Sequence, residues 1–483
     1  MTGPPQSGQP PSGQPQAAHA RAVLAHAVAS SVDPLEAAVV LESRGVNDQL
    51  VRDVFDAPDV VALAQREIRI AGPDRDTAEP DAAPPEPAGL AAPPRTRWLA
   101  LRGILYAVPA LVVLALVPAV DPVESALVLG GLVVSWAWCY GVASVAWAYL
   151  GDRDPAGARR FLRRSLVAGV LLAVVVATVA VYAALTLTST MQVALATVVL
   201  LAGQSAYLMA AAVLLMTGRE LLLLAALVPA VVAVVLDVAG RPVAAPLSWI
   251  GATVVLAMIC AVGATRGAAR PAQRLGPAAW ARGLQQFAFG LLVALVVLFP
   301  AVNELVNENY DALPLSVTLA ALPLVLSRGV AEALLHRYRA RMQRLLEGTA
   351  SPAAFARSAH RALAGHQLVF AAALAALSLA VGGAVTALSG AVDARYVLLA
   401  LDYAVLGPAL FAAMLLSLLG RAERVVETLA AAVAALAAFE LHAAVEAATD
   451  TEALIWFGIV GAAVLVVHLV LVRRCVTVPV HHR

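Results

Sequence analysis

From Trp98 onward the sequence runs as a series of apolar stretches, most of them close to the roughly 20 residues that a helix needs to cross a bilayer core. Twelve can be counted, near 98–119, 125–149, 165–187, 191–216, 220–238, 243–264, 283–303, 313–335, 362–388, 396–418, 424–446 and 453–472. Hydrophobic residues make up 61% of the chain, charged residues 13%, and the mean hydropathy is +0.82, beyond what a soluble domain of this length carries. The expected class is therefore an all-α polytopic membrane protein of about twelve transmembrane helices.

The arginines test that count independently, because short loops on the cytoplasmic side carry the excess of basic residues. Every basic residue outside histidine is arginine. Placing Arg95, Arg97 and Arg102 inside makes each later alternation a prediction. The inside loops then read "GDRDPAGARRFLRR", "GRE", "TRGAARPAQRLGPAAWARG", "HRYRARMQRLLEGTASPAAFARSAHR" and "GRAER", followed by the tail "RRCVTVPVHHR". The outside loops hold only Arg241 and Arg395 and are otherwise acidic, as in "DPVE", "NELVNENYD" and "EAATDTE". Both termini are expected in the cytoplasm and the chain in the inner (plasma) membrane. The first residues, "MTGPPQSGQPPSGQPQAAHA", have neither the charged nor the apolar region of a cleaved secretory signal.

Loop lengths divide the spans into two sets of six. In each set the longest internal loop follows the second span, and the next internal loop is very short, at Gly218 to Glu220 and at Gly420 to Arg424. This is a 6+6 plan of two bundles, 96–264 and 283–474, joined by a cytoplasmic linker at 265–282, with a tail at 475–483. Ahead of them lie a Pro-, Gly- and Gln-rich stretch at 1–17, expected to be disordered, a cytoplasmic helical mini-domain at 18–71 and a Pro-rich acidic linker at 72–95. Within the mini-domain, Asp33-Pro34 starts one helix, Gly45 stops it, Asn47 or Asp48 caps the next, and Pro58 fits the first turn of a third.

A net charge of +1 gives no case for nucleic-acid binding. Cys139, Cys260 and Cys475 lack metal-ligand spacing and are expected as free thiols. No nucleotide-binding loop, zinc motif or nucleophile elbow occurs, so no cofactor, no metal and no enzymatic activity are expected.

Ionisable residues inside the spans are then the site candidates, since an arginine near the bilayer centre costs roughly 2.5–3.5 kcal/mol on insertion scales. They concentrate in the second half. Arg328, Glu332 and His336 are spaced i, i+4, i+8 and share one helix face. They could floor a cationic cavity that attracts a phosphate or pyrophosphate headgroup, or Arg328 could pair with Glu332 and snorkel toward the inner interface. Asp402 and Glu440 lie at similar depth on their spans. Two desolvated carboxylates at one level could carry a proton or bind a coupling cation, or each could fix packing through a hydrogen bond. His442 could pair with Glu446 at the mouth. His366 and His468 read as interfacial or packing residues, and Trp136 and Trp138 as core. Gln204 and Tyr207 in "LLAGQSAYLMAAAV" could hydrogen-bond a sugar, or serve helix–helix contacts.

Twelve spans in two bundles with a basic internal loop after the second and eighth resemble the multidrug/oligosaccharidyl-lipid/polysaccharide (MOP) flippase superfamily. The stretch "AWAYLGDRDPAGARRFLRRSLVAGVLLAVVV" is similar to the second-span, loop, third-span passage of polysaccharide flippases. The stretches "LSRGVAEALLHRYRARMQRLLEGTASPAAFARSAHRAL" and "LLALDYAVLGPALFAAMLLSLLGRAERVVETLAAA" resemble parts of the Pel-type exopolysaccharide transport subunit. The likeness runs from about Arg95 to Arg474; the N-terminal part resembles the leading part of actinobacterial integral membrane proteins. What this implies is a flippase-like transporter moving a lipid-linked glycan or exopolysaccharide across the inner membrane by alternating access. Its partners would be membrane lipid, the lipid-linked glycan, and glycosyltransferase or envelope-assembly proteins met through the N-terminal helices. Two alternatives stand beside it: a cation-coupled multidrug-type antiporter using Asp402 or Glu440, and a non-transporting scaffold of an envelope polysaccharide assembly complex.

Overall fold

The computed structural model describes residues 14–31, 34–46, 48–71, 101–108, 122–152, 154–187, 191–241, 246–267, 275–306, 313–348, 351–390, 393–446 and 449–477, and every regular element among them is helical. The chain divides into two compact units, Met1–Glu86 and Pro87–Arg483. Asp33, Asn47, the 72–95 linker, the outer part of the first span and the last residues of the tail lie outside the described residues.

The described part of the N-terminal unit is four helices: α1 (Gln14–Ser30), α2 (Pro34–Ser43), α3 (Asp48–Phe55) and α4 (Val60–Ala71). Helix α1 has no counterpart in the sequence reading and begins inside the stretch expected to be disordered. Its Ala-rich run forms helix readily, and Ala20, Val23, Leu24 and Ala27 close a core with Leu41, Val46, Val51 and Leu63. Pro34 opens α2 as expected, and Gly45, at φ +84°, ends it by donating to the Glu42 carbonyl. Helix α4 starts later than Pro58 suggested, because Asp59 is its cap: its Oδ1 accepts from the Ala62 N–H at 2.7 Å.

The second unit holds twelve helices among its described residues. Helix α5 covers 101–108, followed by α6 (Pro122–Gly151), α7 (Pro155–Leu187), α8 (Met191–Met216), α9 (Glu220–Val238), α10 (Pro246–Ala264), α11 (Pro277–Val306), α12 (Leu313–Gly348), α13 (Pro352–Ser389), α14 (Ala394–Leu418), α15 (Ala422–Glu446) and α16 (Asp450–Val476). Among the described residues nine helices are long and apolar enough to cross a membrane, with shorter apolar helices at Leu200–Met216 and Ser248–Ala264. The outer surface is itself apolar: Leu171, Val175 and Val179 on α7 are 61%, 58% and 63% exposed. Contiguous exposed Leu and Val are untenable in water and natural against lipid. The chain is a multi-pass membrane protein.

One expected loop turns out to be mostly helix. The basic stretch after Leu335 continues α12 to Gly348, and α13 begins at Pro352 with Ser351 as its cap. Tyr338, Met342, Phe355 and Ala359 are buried there, so an apolar stripe beneath the arginines extends the hairpin beyond its spans.

The 6+6 plan is visible in the packing. In the first half α6 packs on α7 and α8, α7 on α8, α8 on α9 and α10, and α9 on α10; adding six to each label gives a pair that also packs. The short turns correspond as well. Gly218 (φ +66°) donates to Leu215 and Arg219 to Leu214, while Gly420 (φ +75°) donates to Ser417 and Arg421 to Leu416. These are the same left-handed helix stop, which glycine adopts without a Cβ clash.

The halves meet where α6 packs on α11 and where α5 packs on α12, with Gly103 against the Leu326 backbone. The six-helix mapping exchanges these two seams. A Cβ on Gly141 would lie 3.2 Å from the Gly283 carbonyl, and one on Gly290 would lie 3.1 Å from the Ala137 Cα, so both seams rest on glycine.

Candidate functional site

Charged side chains gather on the α5–α12 seam. Arg102, on α5, donates through Nη2 to Glu220 Oε1 at 2.7 Å and through Nη1 to Glu332 Oε2 at 2.9 Å. Glu220 is the first residue of α9 and Glu332 lies on α12, so Arg102 holds one carboxylate from its own half and one from the other. Nη2 also reaches the Leu215 carbonyl at 3.4 Å, which the Gly218 N–H shares at the end of α8.

Arg328 sits one helical turn from Glu332, with Nε 3.5 Å from Glu332 Oε1. Its Nη1 donates across the seam to the Tyr140 hydroxyl of α6. The guanidinium carbon lies 5.3 Å from the Tyr140 ring centroid and 6.0 Å from that of Tyr106, within cation–π reach. Nε has no hydrogen-bond partner, yet the side chain as a whole is 34% exposed. Tyr207, on α8, is 5% exposed, its hydroxyl is buried without a partner, and it belongs to the buried cluster against which Tyr106 packs. Gln204, one turn earlier, is half-buried.

The structure therefore brings Arg328, Glu332 and Tyr207 to one region and adds Arg102, Glu220, Tyr106 and Tyr140 to it. His336, on the expected common face, is exposed and takes no part in these bonds. Pairing of Arg328 with Glu332 and its cross-seam contact coexist. The added residues left faint marks in the sequence: Arg102 stands four residues into an apolar run, and Glu220 heads one.

Asp402 and Glu440 lie elsewhere. Asp402 is 7% exposed and packs against Gly458 of α16, with Oδ2 unpartnered. Glu440, on α15, is half-buried with Oε1 unpartnered. No hydrogen bond joins the two among the described residues. His468 is fully buried between α16 and α14, its Nδ1 3.1 Å from the Ala409 carbonyl. The side chain of Glu446, the expected partner of His442, lies outside the described residues. At the far end of the second half Arg395 Nη2 meets Glu304 Oε1 at 2.6 Å, with Glu304 almost wholly buried.

Compared with solved structures, the chain superposes over 80% of its length on 97% of an outward-facing multidrug resistance MATE family transporter of the MOP superfamily, with a TM-score of 0.55 and 16% identity. The fold is that of the MOP superfamily. A MOP superfamily transporter from Pyrococcus furiosus matches at a TM-score of 0.51 and 15% identity, covering 79% of this chain and 95% of that one. The MATE multidrug transporter DinF-BH matches at 0.50 and 14%, covering 80% and 96%. No protein-family model and no curated protein matches the sequence. In this MOP fold the arginine–carboxylate cluster stands where the two six-helix halves touch.

Proposed function

We propose that the protein is a MOP-type transporter that works by alternating access and moves an anionic, lipid-linked glycan or exopolysaccharide across the plasma membrane, with both termini in the cytoplasm. One observation carries this reading. Arg328 stands at the junction of the halves on a shelf of Tyr106 and Tyr140, with a third of its side chain exposed and its Nε turned inward to Glu332. A guanidinium offers paired donors to phosphate oxygens, and tyrosine faces and hydroxyls suit the sugar that follows. Tyr207 supplies a buried hydroxyl in the cluster against which Tyr106 packs, and Gln204 is a further donor one turn away. The Pel-type likeness of the α12–α13 and α14–α15 stretches favours the same substrate class. For the Pyrococcus furiosus transporter, a reverse polarity of the binding pocket suggests a different function, so pocket polarity is not uniform among proteins of this fold.

The experiment is Arg328→Ala. Export of the envelope glycan should be lost while the protein inserts in the membrane at parental level; unchanged export removes Arg328 from substrate handling.

A second reading, a cation-coupled multidrug antiporter, draws on Asp402, a buried carboxylate with an unpartnered oxygen, and on the multidrug transporters that share the fold. It expects proton-linked drug efflux in inverted vesicles that Asp402→Asn abolishes.

A further inference from the structure

The cluster on the α5–α12 seam consists of two arginines and two carboxylates, and its connectivity is not that of a simple clamp. Arg102 is bound to Glu220 within the first half and to Glu332 of the second. Arg328 is bound to Glu332 within the second half and to Tyr140 of the first. Among the ionic contacts, cutting the seam breaks the Arg102–Glu332 pair; it also parts Arg328 from the Tyr140 hydroxyl and from the Tyr106 and Tyr140 rings. Each half then keeps one arginine and one carboxylate already in contact, Arg102 with Glu220 and Arg328 with Glu332.

That division matters because separating a buried ion pair is strongly unfavourable when it leaves a charge uncompensated. All four side chains are substantially buried, with exposures of 17% for Arg102, 11% for Glu220, 17% for Glu332 and 34% for Arg328. We infer that this quartet is the gate at the arginine-rich end of the molecule, which holds the halves together when closed and splits into two neutral pairs when open. Its place fits the role. Glu220 follows the turn at Gly218 and Arg219, and the seam beside the quartet includes a close backbone contact, Gly103 on Leu326. The other seam, α6 on α11, is packed by Gly141, Gly283 and Gly290. Glu423, the carboxylate at the second half's counterpart of the Glu220 turn, is exposed beside Arg421. The ionic device therefore serves the α5–α12 seam.

The inference deepens the alternating-access reading, on which it rests, and assigns opposite roles to the two carboxylates of Arg102. Glu332 makes the bond that closes the gate. Glu220 makes the bond that allows it to open, since without it Arg102 has Glu332 as its sole carboxylate. A cluster that merely stabilises the fold would respond to loss of either carboxylate in the same direction.

The test uses the full-length chain with Cys139, Cys260 and Cys475 replaced by Ala, and spin labels on cysteines placed at the exposed Asp152 and Arg421, one at the arginine-rich end of each half. Pulsed electron spin resonance in lipid nanodiscs reads the separation. Relative to the parent, Glu332→Gln should raise several-fold a population longer by more than about 5 Å, the scale of a one-turn displacement. Glu220→Gln should show no more of that population than the parent. Glu332→Asp, which retains the charge, should return the distribution toward the parent's and separates gate loss from misfolding. An unmoved distribution in Glu332→Gln, or a lengthened one in Glu220→Gln, overturns the gate. No substrate is present, so failure of the Arg328 export experiment leaves this result standing, and the reverse.

Discussion

Gly103 shows how little room the seam between the halves leaves. An added Cβ would fall inside contact distance of the Leu326 carbonyl oxygen, which belongs to backbone and cannot rotate away. Gly130, on α6, has nothing within 4 Å of the same hypothetical atom. Gly103→Ala should therefore destabilise the protein by about 1–3 kcal/mol through overpacking. Gly130→Ala should stabilise it by about 0.5–1 kcal/mol, because alanine loses less backbone entropy in a helix interior. Denaturant unfolding in detergent checks both signs. At this scale the sequence was informative about charge and silent about partners. Arg328 and Glu332 are conspicuous as buried charges four residues apart. Nothing in the sequence says that Arg102, 230 residues from Glu332 along the chain, binds it, since that bond depends on how two halves dock.

At the scale of elements, proline in a transmembrane helix removes a donor, and the freed carbonyls need another. Pro300 interrupts α11, and the Tyr403 hydroxyl of α14 donates to the nearby Val297 carbonyl at 2.8 Å. Pro229 interrupts α9, and the Ala230 N–H turns to Thr253 Oγ1 of α10 at 3.2 Å. Tyr403→Phe should thus cost about 0.5–1.5 kcal/mol. Thr449→Ala, which removes the cap of α16 and its reciprocal bond with Glu452, should cost about 0.5–2 kcal/mol. Unfolding midpoints at constant slope would register each, and no change in either would mean that those bonds are replaced by water or lipid. The twelve apolar runs and the Gly218 and Gly420 stops were legible because length, hydropathy and glycine are local signals. The helical continuation of α12 past Leu335 was not: its arginines hide a stripe, Tyr338 and Met342, that becomes meaningful only when Phe355 and Ala359 fold back on it. Helix α1 was missed for a related reason, since its alanines carry little hydrophobic contrast until Leu41 and Leu63 cover them.

At the scale of the whole molecule, two halves with matching internal packing meet along two seams that the repeat exchanges, and one of those seams carries a charge cluster able to part into neutral pairs. Those features together suit the alternating access proposed above, which needs an interface with comparable states on either side. The two-bundle plan could be read from loop lengths and arginine counts. The seam chemistry could not, because a repeat fixes which helices correspond and leaves open which residues of each half face the other. The most direct measurement is thiol accessibility of Gln204→Cys, one turn from Tyr207 on α8, in the protein with Cys139, Cys260 and Cys475 replaced by Ala. A membrane-impermeant maleimide is applied separately to right-side-out and inverted vesicles. Labelling from both sides, with the share from the arginine-rich side increased by Glu332→Gln, is the predicted result. Labelling from one side alone, unaffected by Glu332→Gln, would contradict the account.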